Sequence, residues 1–439
     1  MKILKFGGTS VGNPRRISEV ASLVSTGEGN IVVLSAMSGT TNSLLEISRA
    51  VREDDAAEAA VLIDALEQKY GGVIAELYAD EASRSLAMAT IGAFFSQMRD
   101  IATRPYTAAT EKEIVAFGEL ISTNLMHLLL RERGVNACLL PALGFMATDE
   151  HGEPSLQHIT RHLKPLLEAN AGADVYITQG FICRNFRGEI DNLQRGGSDY
   201  SASLIGAALD ADEIQIWTDI DGMHNNDPRF VEGTAPVHNL HFDEAAELAY
   251  FGAKILHPTC ILPAKLKNIP VRLLNTMAPE AEGTLIDNNL TAASIKAIAA
   301  KDDITSIKIK SGRMLLAYGF LKKVFEVFEK YETAIDMITT SEVGVSVTID
   351  NDRHLDKIVD ELHAFGTVTV DRNMTIICVV GDLRWQNRGF EAEALDALHD
   401  IPVRMISYGG SNYNISFLVC ADDKVRALTA LQKRLFTSL

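Results

Sequence analysis

Short, continuously apolar runs alternate with longer helical segments over roughly the first 290 residues of this chain. Four of these runs, three of them dense in β-branched residues, predict strands that are buried on both faces: Ile31–Leu34, Val175–Thr178, Ile214–Trp217 and Val271–Leu274. Strands of this kind pair in parallel, and helices between them cover both faces of the sheet. The pattern therefore predicts an α/β domain with a largely parallel sheet.

Helices are predicted between these strands, beginning with two stretches before residue 135. Residues 51–104 are rich in Ala, Leu and Glu, and we assign them to helical packing without chemistry of their own. A long helix is expected to open with the capping box Thr110–Glu113 and to stop at Gly134.

From about residue 294 the pattern becomes that of small α+β units. Residues 304–350 predict a strand, a turn, an amphipathic helix over Leu321–Tyr331 and two further strands. A similar order recurs over Met374–Val419, with a helix over Phe390–Asp400. The repeat by itself favours two modules in tandem.

Composition and charge narrow the classes of function. With 439 residues the chain is longer than one core usually supports, and its five scattered cysteines suggest neither a disulfide framework nor a zinc site. The formal charge of −17 disfavours nucleic-acid and anionic-membrane partners. With no run approaching eighteen apolar residues and no signal-peptide pattern, we expect a cytoplasmic protein.

The densest candidate chemistry lies at the N-terminus. The apolar run Met1–Leu4 leads directly into Lys5-Phe6-Gly7-Gly8-Thr9-Ser10-Val11. Adjacent glycines let backbone N–H groups approach an anion, and Lys5 supplies a mobile cation that can follow charge on a transferring phosphoryl group. The motif is not a Walker A loop, and a lone Gly-Gly could also be a tight turn after an edge strand.

This N-terminal motif resembles the signature of the aspartokinases, within the wider amino-acid kinase fold. Further blocks similar to aspartokinase sequences follow in matching order: Phe117–Glu119, Gly196–Tyr200, Trp217–Asp219, Phe251–Pro258 and Thr339–Val343. The similarity covers essentially the whole chain.

The resemblance implies a fold and a division into domains. An amino-acid-kinase-like three-layer sandwich is expected over residues 1–290, followed over residues 291–439 by two ferredoxin-like ACT modules, the small effector-binding units of regulated amino-acid enzymes. By analogy with the family the modules interleave, so that residues 306–373 are inserted into a module made of residues 294–305 and 374–439. The length leaves no room for the homoserine dehydrogenase domain of some relatives, so a monofunctional chain is expected.

The activity implied is transfer of the ATP γ-phosphoryl group to the β-carboxylate of L-aspartate, the first step toward lysine, threonine and methionine. The acceptor is already ionised at pH 7, so catalysis should consist of alignment and charge neutralisation without a general base. Mg²⁺ is expected to bind mainly through the ATP phosphates, since the sequence shows no dedicated metal site.

By resemblance, four residues bind aspartate: Thr41, Glu119, Arg195 and Ser198. Each has an ordinary alternative. Thr41 could belong to a Ser/Thr/Gly turn, Glu119 could be a solvated helix position, and Arg195 could form a surface salt bridge. Ser198 or Asp199 could cap a helix over Tyr200–Leu209. A carboxylate suits an α-ammonium, and the planar fork of an arginine suits a carboxylate.

The nucleotide is expected to contact Lys5, Phe6, Gly7, Gly8, Thr218, Asp219, His224, Arg229 and Lys254. Many relatives carry a tyrosine where this chain has His224, so that contact is the weakest of the set. Lys254 is expected near the end of a helix that starts at about Asp243 and is stopped by His257-Pro258, where it could equally be a helix C-terminal cation.

The effector candidates are the positions that match the lysine site of lysine-sensitive relatives: Met314, Ala317, Phe320, Leu321, Ala334, Asp336, Ser341 and Glu342. Asp336 offers a carboxylate to the side-chain ammonium of lysine. Leu316, Ala317 and Ala334 replace polar family residues, so sensitivity is expected to be weakened or lost, and Asp336 could merely end a turn. A homodimer through the ACT modules, or a tetramer, is expected.

Two other functions stay open at this point. A different small-molecule kinase of the same fold, acting on glutamate, carbamate or a nucleotide, would share the N-terminal motif. A catalytically inactive effector-binding protein would share the C-terminal modules.

Overall fold

A computed structural model describes residues 1–25, 29–193, 196–252, 257–290, 295–312 and 318–436. The chain divides into two compact units, Met1–Met223 with Leu256–Asn288, and His224–Ile255 with Asn289–Leu439. The domain boundary at residue 290 stays a prediction; the second unit also takes in residues 224–255.

The first unit alternates strands and helices along most of its length. Its strands are β1 (Lys2–Phe6), β2 (Asn30–Leu34), β3 (Ala137–Leu140), β4 (Val175–Gln179), β5 (Ile182–Arg184), β6 (Ile190–Asn192), β7 (Glu213–Thr218), β9 (Val271–Asn275) and β10 (Thr284–Asp287). Its helices are α1 (Pro14–Val24), α2 (Thr40–Arg52), α3 (Ala56–Leu77), α4 (Glu81–Ala102), α5 (Ala108–Glu132), α6 (Leu156–Ala169), α7 (Gly197–Leu209) and α9 (Pro258–Lys267).

The strands of this unit that form the central sheet have the order β3-β4-β2-β1-β7-β9-β10. Their pairings are parallel from β3 through β9, and β10 is antiparallel to β9. The four strands predicted from apolar runs are confirmed as β2, β4, β7 and β9. Because parallel strands end at one edge of a sheet, the segments after β1, β2, β4 and β7 meet there.

Helix packing accounts for residues 51–104, as predicted. Helices α3 and α4 bury Tyr70 and Phe95 in the same core as Phe6 and Leu34 of the sheet. Helix α5 is long and apolar enough to span a membrane by length and composition, but 78% of its most apolar window is buried inside the fold, as in a core helix.

At three places the predicted helix boundary is wrong because a different residue makes the cap. Helix α5 begins at Ala108, with Thr107 as its cap. The hydroxyl of Thr110, the third helical residue, accepts a hydrogen bond from the Thr107 N–H at 2.9 Å. Helix α7 begins at Gly197 after Gly196 in a left-handed conformation, so Ser198 and Asp199 lie in its first turn and not at its cap.

The third correction concerns His257-Pro258, which start a helix instead of stopping one. The His257 imidazole accepts the Thr259 N–H, and Pro258 takes the first helical position of α9, where its missing N–H costs nothing. The preceding helix ends earlier, at Tyr250.

The second unit contains β8 (Asn239–His241), α8 (Phe242–Tyr250), β11 (Ile295–Lys310), α10 (Phe320–Lys330), β12 (Ile338–Ser341), β13 (Gly344–Ile349), α11 (Leu355–Leu362), β14 (Thr367–Gly381), α12 (Phe390–Ala397), β15 (Val403–Tyr408), β16 (Asn414–Cys420) and α13 (Lys424–Phe436). The predicted amphipathic helix is confirmed as α10, while α12 stops three residues before the predicted Asp400.

An antiparallel sheet of order β12-β13-β11-β14-β16-β15 carries two separate cores. One core joins Ile307 of β11 to α10 and α11, and the other joins Ile298, from the start of the same strand, to α12 and α13. The early half of β11 thus packs with the later elements. This supports the interleaved arrangement of the modules, whose bounds stay a prediction.

Candidate active site

A cavity of about 310 Å³ opens in the first unit, at the edge of the sheet where the parallel strands end. The residues that line it follow β1, β2 and β4 or come from α2, α5 and α7: Gly8, Ser35, Ala36, Met37, Ser38, Gly39, Thr41, Glu119, Phe181, Gly197 and Ser198. Three of the four predicted aspartate-binding residues, Thr41, Glu119 and Ser198, are therefore brought to one cavity.

Glu119 is the buried carboxylate of this cavity. One of its oxygens, Oε1, accepts a hydrogen bond from the Ala36 N–H at 3.0 Å. The other, Oε2, is buried and has no hydrogen-bond partner within the described part of the chain. Burial raises the pKa of Glu119 to about 7, although the Ala36 N–H acts in the opposite direction. The carboxylate can therefore take a cationic group on its second oxygen.

Gly118 explains how Glu119 comes so close to the loop after β2. A Cβ on Gly118 would lie 2.7 Å from the Cβ of Ala36, closer than such atoms pack. The missing side chain lets α5 approach the loop, so the neighbouring carboxylate reaches the Ala36 N–H. The Phe-Gly-Glu block thus has a physical reason.

The hydroxyls of the cavity form a short hydrogen-bonded chain. Ser122 on α5 donates to the backbone carbonyl of Ser35 at 2.8 Å, and the Ser35 hydroxyl donates to that of Ser198 at 2.9 Å. Thr41 is exposed in the first turn of α2. The polar stretch from Ser35 to Asn42, directly after β2, was expected at the ligand-binding edge, but Ser35 itself was not among the predicted binding residues.

Phe181 was also missed. It lies two residues after β4 in a left-handed conformation, φ +66°, which is unusual for an aromatic residue. Its N–H donates to the Ser201 hydroxyl at 2.9 Å, and its carbonyl accepts the Leu193 N–H at 2.8 Å, so the strained backbone is held from both sides. No composition or spacing signal marks it.

Lys5, at the end of β1, forms an ion pair with Asp199 of α7. The Lys5 Nζ to Asp199 Oδ1 distance is 2.6 Å, and the two side chains are 12% and 16% exposed. Asp199 directly follows Ser198 of the cavity, and a Cβ on Gly8 would lie 2.9 Å from the Ala36 carbonyl oxygen. The ammonium is thus fixed beside a backbone that a side chain would obstruct. Sequence reasoning had not assigned Asp199 this role.

The other predicted nucleotide residues of the first unit differ in exposure. The Phe6 ring is fully buried and stacks on Trp217 with ring centroids 5.7 Å apart. A nucleotide could therefore contact Phe6 only through its backbone. Gly7 donates its N–H to the Trp217 carbonyl at 3.2 Å. Thr218 ends β7, and its hydroxyl donates to the exposed Asp219 at 3.1 Å.

Two of the predicted nucleotide residues in the second unit, His224 and Arg229, are described, and their contacts there are local. The His224 imidazole lies 3.0 Å from the Thr234 hydroxyl. Arg229 makes a bidentate ion pair with Asp227, with Nη2 to Oδ2 at 2.6 Å, although its side chain is 72% exposed.

Four predicted site residues lie outside the described residues: Arg195, Lys254, Met314 and Ala317. Their assignments rest on the sequence.

The remaining effector candidates separate into core and surface. Phe320 is buried at the start of α10 and packs edge-on against Phe365, and Leu321 packs on the same core. Ala334, Ser341 and Glu342 are exposed. Asp336 is buried and ion-paired with Lys301, at 2.6 Å from Oδ1 to Nζ.

Comparison with known proteins bears directly on these two units. The model of the amino acid kinase family matches residues 1–275, and the model of an ACT domain matches residues 377–435. The lysine-sensitive aspartokinase 3 of Escherichia coli (strain K12) is 33% identical, over 99% of this chain and 99% of that protein. The chain belongs to the aspartokinase family. The chloroplastic aspartokinase 1 of Arabidopsis thaliana is 34% identical, over 99% of this chain and 80% of that protein.

Solved aspartokinase structures agree with this assignment. The structure of E. coli aspartokinase III in complex with aspartate and ADP (R-state) is 32% identical, with a TM-score of 0.82 and coverage of 99% of this chain and 100% of that chain. The complex of the same enzyme with lysine and aspartate (T-state) gives a TM-score of 0.83 at 32% identity, with 99% of each chain covered. The predicted family and fold class are confirmed.

Proposed function

We propose that this aspartokinase transfers the γ-phosphoryl group of ATP to the β-carboxylate of L-aspartate, giving 4-phospho-L-aspartate, the first step toward lysine, threonine and methionine. The observation that carries the proposal is the cavity lined by Ser198, Thr41 and Glu119, whose Oε2 is left without a hydrogen-bond partner in the described part of the chain. The relatives solved with aspartate and ADP support it.

Glu119 holds the α-ammonium of aspartate in this proposal. Its unpartnered Oε2 supplies one charge-assisted hydrogen bond, and its Oε1 stays fixed on the Ala36 N–H. The hydroxyls of Ser198 and Thr41 position the carboxylates, and Arg195 grips one of them with two parallel hydrogen bonds, an assignment that rests on the sequence. The substrate carboxylate is the nucleophile.

Lys5 neutralises the charge that develops on the transferring phosphoryl oxygens. Its ion pair with Asp199 holds the ammonium in one place before the reaction, so little reorganisation is needed. Gly7 and Gly8 keep side chains away from the phosphates, and Lys254 adds a second cation by family resemblance. Thr218, Asp219, His224 and Arg229 stay proposals for nucleotide contacts.

Within the residues that the structure describes, no group of three or more His, Cys, Asp or Glu side chains is placed to hold a metal ion. We propose that Mg²⁺ binds mainly through the ATP phosphates, with water-mediated help from Asp199 or Asp219. When bound, it neutralises phosphate charge.

The pKa of Glu119 predicts how activity depends on pH. Below about pH 7 the free enzyme carries a neutral Glu119, which pairs poorly with the α-ammonium of aspartate. We expect kcat/KM for aspartate to fall by about tenfold per pH unit below about 7, and kcat to fall at lower pH because bound substrate favours the carboxylate. Initial rates across this range test it; a flat kcat/KM would contradict it.

Replacement of Asp199 by asparagine should loosen Lys5. The variant keeps the size of the side chain but removes the charge that holds the ammonium at 2.6 Å. We expect kcat to fall about tenfold, with smaller changes in both KM values, because the interaction acts through Lys5 in the transition state. In the Lys5→Ala background the same change should have little further effect; additive losses would show that Asp199 acts independently.

A coupled assay of ADP release with aspartate, ATP and Mg²⁺ tests the proposed reaction. Trapping of the product as a hydroxamate distinguishes acyl phosphate formation from ATP hydrolysis. Glutamate, carbamate and nucleoside monophosphates in place of aspartate test the other kinases of this fold. Absence of turnover with every acceptor would favour an inactive effector-binding protein.

Regulation, assembly and location belong to the same proposal. We propose that L-lysine inhibits through the ACT modules with Asp336 as its anchor, supported by the lysine complex of a relative. We also propose a cytoplasmic homodimer formed through the ACT modules, or a tetramer.

A further inference from the structure

Asp336, the carboxylate proposed to anchor the effector, is already occupied by a cation of the same chain. Its side chain is 1% exposed, and Oδ1 lies 2.6 Å from the Lys301 ammonium. The Tyr250 hydroxyl donates to the same oxygen at 3.2 Å. Oδ2 is buried and has no hydrogen-bond partner in the described ranges. An external ammonium that binds Asp336 must therefore approach a carboxylate whose Oδ1 is already bonded to Lys301 and Tyr250.

Lys301 is held there by several groups. Its Nζ also lies 2.8 Å from Asp350 Oδ2 and 4.7 Å from the centre of the Tyr250 ring. Burial lowers the pKa of Lys301, but the hydrogen bonds to Asp336 and Asp350 outweigh it and keep that pKa above its usual value. A charged alkylammonium of lysine length thus lies where the alkylammonium of a free lysine is proposed to bind.

The second ACT module shows what this pair does structurally. Residues seventy positions apart correspond in the repeat: Gly319 and Gly389 both adopt left-handed conformations and precede helices that begin with Phe320 and Phe390. By the same offset Lys301 corresponds to Asp371.

The charge pair is repeated with its sign inverted. Arg404 Nε lies 2.7 Å from Asp371 Oδ2, and the sequence Arg404-Met405-Ile406 is similar to Asp336-Met337-Ile338 at an offset of 68 positions, two fewer than the offset between the helices. Each ion pair therefore ties an edge-strand position, Asp336 shortly before β12 or Arg404 within β15, to one of the two long central strands, β11 or β14. In the Lys301–Asp336 pair the edge-strand member is the acid, so that carboxylate can exchange the internal cation for an external one.

We propose that Lys301 is a tethered competitor of the cationic effector: its ammonium closes the Asp336 carboxylate, and the ammonium of L-lysine binds there by displacing it. The inference rests on the proposed regulation by lysine. The apparent affinity for lysine is then reduced by the fraction of molecules in which Lys301 occupies the carboxylate. Displacement also breaks the contacts of Tyr250, the last residue of α8, four residues before Lys254 in the sequence.

Calorimetry with L-lysine on Lys301→Met tests this displacement. The methionine keeps the apolar part of the side chain and removes the charge, so we expect lysine to bind at least about tenfold more tightly than to the wild type, with one lysine per chain. Lys330→Met, which breaks the exposed pair with Glu361 in the same module, is the matched control and should leave the affinity unchanged. Asp336→Asn in the Lys301→Met background should remove the gain.

Each result decides between the inference and the proposed regulation. If lysine binds Lys301→Met tightly but does not bind the wild type, the inference is supported, and the proposal that lysine inhibits the wild-type enzyme is wrong. Equal affinities overturn the inference and leave the regulation standing. Absence of binding to both proteins overturns both. If melting curves show that Lys301→Met is unfolded, Lys301→Gln, which can still donate to Asp336, is measured under the same criteria.

Discussion

Replacement of Lys5 by alanine is expected to lower kcat by about a hundredfold or more, because its charge acts on the transferring phosphoryl group. The Lys5 ammonium is held 2.6 Å from Asp199, so its role is electrostatic and fixed in place. KM for both substrates should change much less, since the interaction is strongest in the transition state. Initial rates under saturating aspartate and ATP measure the effect.

Lys2→Ala is the matched control for this prediction. Lys2 lies on the same strand, but its side chain is 48% exposed and pairs with Glu213 at 3.4 Å. We expect kcat of Lys2→Ala within about twofold of the wild type, since exposed ion pairs contribute little. Near-normal kcat of a folded Lys5→Ala protein would refute the assignment of Lys5.

Glu119→Gln should raise KM for aspartate by about 10- to 150-fold, the equivalent of roughly 1.5–3 kcal/mol for a hydrogen bond to a charged group. The glutamine oxygen can still accept the Ala36 N–H, so the loop should keep its place while the α-ammonium of the substrate loses its charged partner. KM for ATP should stay within about twofold. Equal effects on both substrates would place Glu119 outside the aspartate site.

Glu119→Gln should also change how the stability of the folded protein depends on pH. Burial raises the pKa of Glu119 to about 7 from the usual 4.5, so the stabilising contribution that this group makes at low pH is lost as the pH rises through about 7. Glutamine stays neutral throughout. The melting temperature of Glu119→Gln minus that of the wild type should therefore be larger at pH 8 than at pH 5.

Local sequence determined the sheet and much of the candidate chemistry. The runs that became β2, β4, β7 and β9 are apolar and mostly β-branched, and such runs are stable only as buried strands, which pair in parallel under covering helices. The polar motifs that follow parallel strands had to meet at one edge, so the cavity around Gly8 and Thr41 could be foreseen.

Helix ends could not be read reliably from spacing. Several residues near a boundary can cap a helix, and their positions differ by less than one helical turn. Tertiary packing decides which of them becomes the cap. Thr107 took the cap expected of Thr110, and Gly196 took the cap expected of Ser198 or Asp199. The second change matters for function, since it turns Asp199 from a cap into the partner of Lys5.

Contacts between distant residues were decided by the tertiary structure alone. The pairs Lys5–Asp199 and Lys301–Asp336 join residues far apart in the chain, and a charge pattern does not specify which of many acids a lysine meets. Burial adds the rest: the same carboxylate type has a pKa raised to about 7 at Glu119 because the fold removes water from it. The amino-acid sequence determined which groups were available, whereas the packing of helices against the sheets determined which of them are charged, paired or without a partner.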